Sequence, residues 1–267
     1  HFCSDISVNS DIIVGEYNNG QWRKIESFLK MDKNNKAFQV IRDPRGVLSS
    51  WKKITYGKKY KYLNCLFNWK DSYNYLNRYK KKYNKRRYLP ILFENMHLSP
   101  NKSVNEICKF LKIKKNSNMI DNLKWKKILK GPLNYINISA YDDKKKYGYN
   151  AKRIDNWKKY LKDWEIAITE YLLKKPMQDL GYTQYKKINQ KLINKGLKIL
   201  NSDKILKKRL NNLIYYKMGT DRGMNDPSKP ENWSSPKNPK KKFIKDKEYE
   251  HFKKEIKILN QLAKKIH

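Results

Sequence analysis

Three short apolar runs punctuate the first third of the chain: "DIIV" (residues 11–14), "AFQVI" (37–41) and "YLPILF" (88–93). Runs of this length, rich in β-branched and aromatic residues and bounded by polar or turn-forming ones, predict short buried strands. Between the second and third, "YKYLNCLFNWKDSYNYLNRYKKKYN" repeats its apolar positions at helical spacing, with Leu63, Leu66, Phe67, Tyr73 and Leu76 on one broad face. After the third run, Ser99-Pro100 predicts an N-cap and first helical position, Ser103 with Glu106 a capping box, and Val104, Ile107, Cys108 and Leu111 one buried stripe. Strands alternating with helices predict an α/β domain on a parallel sheet.

Beyond Tyr182 the texture changes. Residues 187–217 read as one or two basic amphipathic helices with Ser202 as a cap, 226–239 ("DPSKPENWSSPKNP") as a linker, and 246–265 as a last lysine-rich helix. The expected division is an α/β domain over 1–186 and a basic helical C-terminal extension over 187–267.

Charge changes this picture less than its size suggests. The 267 residues carry a net charge of +37, a field that attracts polyanions whatever the fold. Only nine of the 62 basic residues are arginine, and the lysines come with abundant Asn, Ile and Tyr, a mixture that AT-rich codons also write. Codon bias and selected basicity both account for it. Lysine is spread evenly along the chain, including the tail helices, whereas a nucleic-acid footprint clusters; nucleic acid is therefore disfavoured as a partner. Cys3, Cys65 and Cys108 form no CxxC pair and no disulfide framework, which points to a reducing, cytoplasmic location. No run approaches the roughly 18 apolar residues of a membrane span. The chain begins at His1 and not at a methionine, so an N-terminally truncated fragment, with any targeting segment lost, is the expectation.

The candidate chemistry lies in "KAFQVIRDPRGVLSSWKK", residues 36–53. A ligand on a parallel sheet sits at the carboxyl ends of the strands, and Arg42 falls at that edge. Pro44 and Gly46 suit a tight turn into a helix carrying Ser49 and Ser50, so that Arg42 and an early serine can converge on one anion. Taken alone, "RDPR" also fits a plain strand-turn-helix with Arg42 in a surface ion pair.

The longer pattern R-D-P-R-x-V-x-S-S, with Ser50 eight residues after Arg42, resembles the 3′-phosphate signature of the sulfotransferase family, whose donor is 3′-phosphoadenosine-5′-phosphosulfate. "LFENMHLSPNKSVNEICKFLKI" resembles that family's strand ending in Tyr-Glu-Asp-Leu, followed by a proline-started helix ending in Phe-Leu-Gly. "AKRIDNWKKYL" is similar to its late basic motif, and "MQDLGY" to the Leu-Gly-Tyr that closes the domain. The resemblance implies a three-layer parallel sheet of the P-loop nucleoside-triphosphate-hydrolase-like type with extra C-terminal helices. It also implies that Arg42, Ser50 and Arg153 hold the donor's 3′-phosphate, with Lys152 a substitute for Arg153. Phe93 would lie beside the adenine, or pack in the core, and Glu94 would be structural. Trp51, Trp69 and Trp157 read as packing residues.

Sulfuryl transfer also needs a 5′-phosphosulfate loop and a base. The family's loop follows its first strand; none of the 41 residues before Arg42 forms such a turn, so it is expected upstream of residue 1. The base is not identified. Glu16 in "VGEYNNG" is a candidate, although Tyr17 replaces the lysine expected beside it, while His97 reads as capping a loop and His1, His251 and His267 lie at the chain ends. The leading expectation is a sulfotransferase acting on a hydroxyl or amine of a carbohydrate or small metabolite, without a metal. The alternatives are a basic nucleic-acid-binding protein and a P-loop nucleotide kinase; a kinase has no reason to carry "AKRIDNW" and "MQDLGY".

Overall fold

The computed structural model of the chain describes residues 6–8, 11–13, 22–54, 59–120, 149–185 and 189–214. The chain divides into two compact units, one of residues 34–218 and the other of 1–33 with 219–267. Glu16, the linker over 226–239 and the helix expected at 246–265 lie outside the described residues.

In the smaller unit, β1 (Ile6–Val8) pairs with β2 (Asp11–Ile13), with Ile6 opposite Ile13. The pair is antiparallel rather than part of a parallel sheet. Only two residues separate the strands, and a parallel crossover needs a dozen or more. A 3-10 turn at Trp22–Lys24 runs into α1 (Ile25–Met31), on which Lys30 pairs with Glu26 at 3.1 Å.

The larger unit holds the α/β element. Strand β3 (Ala37–Ile41) leads into α2 (Pro44–Ile54), and a 3-10 turn at Lys61–Leu63 opens α3 (Asn64–Lys82). Strand β4 (Tyr88–Leu92) follows, then α4 (Phe93–Leu98) and α5 (Pro100–Leu111). Strands β3 and β4 are parallel, with Ala37 opposite Tyr88 and Ile41 opposite Leu92, so both end at the same edge. Strand β3 is not buried on both faces. Gln39 and Ile41 face the core, whereas Phe38 is 44% and Val40 43% exposed. The buried Gln39 has full hydrogen bonding: its Nε2 donates to Ser72 Oγ (2.9 Å) and its Oε1 accepts from Tyr88 Oη (2.7 Å).

The apolar face read on α3 is the centre of the main core: Leu63, Leu66, Phe67, Tyr73 and Leu76 are all buried. Helix α5 begins at Pro100 as expected, but the Ser99 side chain makes no capping bond; its carbonyl instead accepts from Ser103 N–H. Ser103 is buried inside the helix, so the Ser103–Glu106 capping box does not form. The helix ends at Lys112, which adopts a left-handed φ of 61°, and the Ile113 N–H closes back on Cys108 O at 2.9 Å. That terminal turn is one that glycine normally occupies, and "FLK" places a lysine there.

Further along come α6 (Trp157–Tyr160), α7 (Asp163–Leu172), α8 (Lys174–Asp179), α9 (Gln190–Ser202) and α10 (Lys204–Ile214). Helices α9 and α10, read from sequence as an extension, pack into the main core through Ile193, Leu200, Leu206 and Leu210. Gly196 permits this: a Cβ there would stand 2.7 Å from Ile168 of α7. Arg209 ties α10 to α3, donating to Asn64 Oδ1 (2.8 Å) and Asn68 Oδ1 (2.7 Å). Among the described residues, no helix is long and apolar enough to cross a membrane.

Candidate functional site

The sequence "RDPR" is the transition from strand to helix. Ile41 ends β3, Arg42 is the next residue, and Asp43 caps α2. The Asp43 carbonyl accepts from Val47 N–H at 3.0 Å and its Oδ1 from Arg45 N–H at 2.8 Å. Pro44 then occupies the first helical position, where its missing N–H costs nothing.

Arg45 turns inward and is buried. It grips Asp43 with two parallel bonds, Nε to Oδ1 (3.0 Å) and Nη2 to Oδ2 (2.6 Å), while Nη1 donates to Glu170 Oε1 (2.7 Å) and Thr183 O (3.1 Å). Its guanidinium lies 4.2 Å from the centre of the buried Trp157 ring. Burial alone would lower the Arg45 pKa, but the bonds and charges of Asp43 and Glu170 raise it above its ordinary value. Arg45 is thus a structural clamp between α2 and α7.

Arg42 is the arginine left at the sheet edge. Its guanidinium lies 4.4 Å from the Phe93 ring centre, and Nη2 donates to the carbonyl of Arg153 at 3.2 Å. The Arg42 carbonyl accepts from Trp69 Nε1 at 2.8 Å. Its Nε is buried without a hydrogen-bond partner. Burial pulls the Arg42 pKa below its usual value, with Glu94 and Asp43 opposing that shift and Arg153 adding to it. Gly46 makes room for this side chain. A Cβ there would stand 2.8 Å from Arg42 Nε, and Gly46 lies inside α2 with ordinary helical geometry. The glycine therefore serves close approach, not the tight turn that its position beside Pro44 suggested.

At the parallel edge, Phe93 and Glu94 follow β4 as Arg42 and Asp43 follow β3. Glu94 Oε1 accepts from Asp43 N–H (2.9 Å) and Oε2 from Tyr182 Oη (2.8 Å). Tyr182 reaches Glu94 because Gly181 takes a φ of +80° after α8. The phenol's pKa is raised by burial and by the Glu94 charge.

His97 stands one turn beyond Phe93 with ring centres 4.2 Å apart, and its Nδ1 accepts from Asn150 N–H at 2.8 Å. The loop-capping reading of this histidine holds. Burial, then Arg153 and Arg42, lower the His97 pKa from 6.5 to about 4, so the imidazole is neutral. Asn150 Oδ1 in turn caps the 3-10 turn Ala151–Arg153 through Lys152 N–H (3.0 Å).

Of the sequence-derived candidates, Arg42, Phe93 and Arg153 are brought together here. Ser50 lies half-exposed on α2, four residues beyond Gly46 and so on the face that meets Arg42. Lys152 is exposed on the same turn as Arg153. Phe93 carries the Arg42 guanidinium against its ring. The roles of Asp43, Arg45, Glu170 and Tyr182 were not read from sequence. The Asp-Pro pair is a recognisable helix start that could have identified Asp43, but Glu170 meets Arg45 across 125 residues, and nothing local marks it. Among the described residues, no group of His, Cys, Asp or Glu is placed to hold a metal ion.

Comparison with known proteins bears on this edge directly. Residues 13–117 match the sequence model of the Sulfotransferase family. The match spans about two-fifths of the chain. That segment contains Arg42, Ser50, Phe93 and Glu94, while Arg153 and Tyr182 join them from outside it through the contacts above. Among solved structures, the chain is similar to one titled "Sulfotransferase Domain from the Curacin Biosynthetic Pathway", at 14% identity and a TM-score of 0.41. The match covers 56% of this chain and 54% of that one, about half of each. No curated protein matches the sequence.

Proposed function

We propose that the chain is a sulfotransferase using 3′-phosphoadenosine-5′-phosphosulfate as donor, and that the edge formed by Arg42, Ser50 and Arg153 grips the donor's 3′-phosphate. One observation carries this reading. Two arginines are drawn together at the carboxyl edge of parallel strands, and one of them has a buried Nε without a partner. Like charges brought together with an unused buried donor are unfavourable unless an anion completes them. A phosphate dianion supplies both the charge and the acceptors. Ser50 can add a hydroxyl donor and Lys152 a further positive charge.

In the proposed reaction an acceptor hydroxyl or amine, on a carbohydrate or small metabolite, forms a bond to sulfur. The bond from sulfur to the donor's 5′-phosphate oxygen breaks, the acceptor's proton passes to a base, and adenosine 3′,5′-bisphosphate leaves. Glu16 remains the candidate base from sequence. Glu94 is engaged by Asp43 N–H and Tyr182 Oη and holds the edge together, which favours its structural role. The fold that accompanies this function is a three-layer α/β sandwich of the P-loop-like type, to which β3 and β4 would contribute neighbouring strands. The reading includes a reducing, cytoplasmic setting, supported by cysteines that form no CxxC pair in the sequence.

The test is calorimetric titration with adenosine 3′,5′-bisphosphate. Binding to the intact chain, abolished by Arg42→Ala in a folded variant, supports the reading. Absence of binding to the intact chain overturns it.

A further inference from the structure

We infer that His97 is the positioning residue of the anion site: through Asn150 it holds the turn bearing Arg153 against Arg42 and so sets the spacing of the two guanidinium groups. The inference rests on the phosphate-site reading above and adds a residue to it.

The contacts form a closed circuit. Phe93 and His97 are four residues apart on α4 and so share a face. The Phe93 ring supports both the His97 ring (4.2 Å between centres) and the Arg42 guanidinium (4.4 Å). His97 Nδ1 accepts from Asn150 N–H at 2.8 Å. Asn150 then organises the turn in two ways: its Oδ1 accepts from Lys152 N–H (3.0 Å), and its carbonyl accepts from Arg153 N–H (3.1 Å). The circuit closes where the Arg153 carbonyl accepts from Arg42 Nη2 at 3.2 Å. A change at His97 therefore reaches Arg42 by two routes, through the Phe93 ring and through the Asn150 turn.

The same geometry argues against His97 as a general base. The nitrogen that would take the proton, Nδ1, is already occupied by the Asn150 N–H, which leaves the ring proton on Nε2. Around the ring stand Arg42 from the end of β3, Arg153 from the 149–153 turn, and Tyr149, whose ring centre is 6.0 Å away. Two cations beside a half-buried imidazole keep it neutral and keep its acceptor available. Arg42 and Arg153 repel each other as well, so the anchor that holds them together must not add a third positive charge.

The test is a double-mutant cycle read by calorimetric titration with adenosine 3′,5′-bisphosphate, using the wild type, His97→Leu, Arg153→Ala and the double variant. Arg153→Ala should weaken wild-type binding roughly tenfold, the effect of one charge-assisted contact. In the His97→Leu background the same substitution should change the dissociation constant by less than about twofold, because Arg153 is already displaced. His97→Asn, whose Oδ1 lies near the Nδ1 position, should recover most of the wild-type affinity. Should His97→Leu fail to fold, His97→Gln replaces it; its oxygen reaches the Nε2 position, so it must show the same loss of coupling. Equal effects of Arg153→Ala in both backgrounds would overturn the inference and leave the phosphate-site reading standing. No binding by the wild type would overturn both.

Discussion

Tyr182 donates its hydroxyl hydrogen to Glu94 Oε2 at 2.8 Å, while Glu94 Oε1 accepts the backbone N–H of Asp43 at 2.9 Å. Three segments that sequence reading treats separately, "RDPR", "LFEN" and "MQDLGY", thus meet at one carboxylate. Removing the hydroxyl in Tyr182→Phe leaves one oxygen of a half-buried carboxylate without that donor. The expected loss is about 1–3 kcal/mol of stability, measured by urea denaturation. Glu94→Gln can still accept from Asp43 and can donate to Tyr182, so it should stay folded and bind the bisphosphate. Loss of sulfuryl transfer in Glu94→Gln with binding intact would instead mark Glu94 as a catalytic group.

Arg45 is the more structural of the two arginines in "RDPR". Arg45→Ala leaves Asp43 and Glu170 buried without their shared cation, and removal of one partner from such a group costs about 3–5 kcal/mol. Arg45→Lys retains a charge but cannot reproduce the paired bonds to Asp43. Both variants should therefore show lowered denaturation midpoints, with alanine the lower.

Gly46→Ala separates stability from binding. Alanine in place of glycine inside a helix is worth up to about 1 kcal/mol, yet its Cβ would displace the Arg42 side chain. The melting temperature should hold or rise while bisphosphate affinity falls. Unchanged affinity would show that Arg42 does not need this position to bind.

The helix-ending turn at Lys112 offers a stabilising change. A left-handed conformation costs a residue with a Cβ roughly 1–2 kcal/mol, and the entropy that glycine restores to the unfolded chain offsets about 0.4–1 kcal/mol of that. Lys112→Gly should therefore gain up to about 1.6 kcal/mol on these values, visible as a raised melting temperature.

Acid should weaken the fold through His97. Its pKa is about 4 in the folded chain and 6.5 as the ordinary value, so the unfolded chain takes up the proton first. The histidine's contribution is fully present above pH 6.5, declines as pH falls toward about 4, and then levels off. Denaturation midpoints across that window should fall less steeply for His97→Asn than for the wild type; equal slopes would assign the titration to another group.

Local pattern sufficed for much of this protein. Five- to six-residue apolar runs marked β3 and β4, helical spacing marked the buried face of α3, and Arg42 after an apolar strand marked the carboxyl edge of the parallel pair, because these signals lie within one element or at its end. They did not reveal that α9 and α10 belong to the main core, since an amphipathic stripe says only that a face must be buried, not against what. Nor did they give any role to Arg45, which has the same chemistry as Arg42 three residues away. Tertiary structure decided that. Arg45 is turned onto Glu170 and Trp157 and has its charge and donors satisfied, whereas Arg42 is held beside Arg153 with a donor unused. Charge and hydrogen-bonding capacity are properties of a residue, but whether they are satisfied depends on partners more than a hundred positions away.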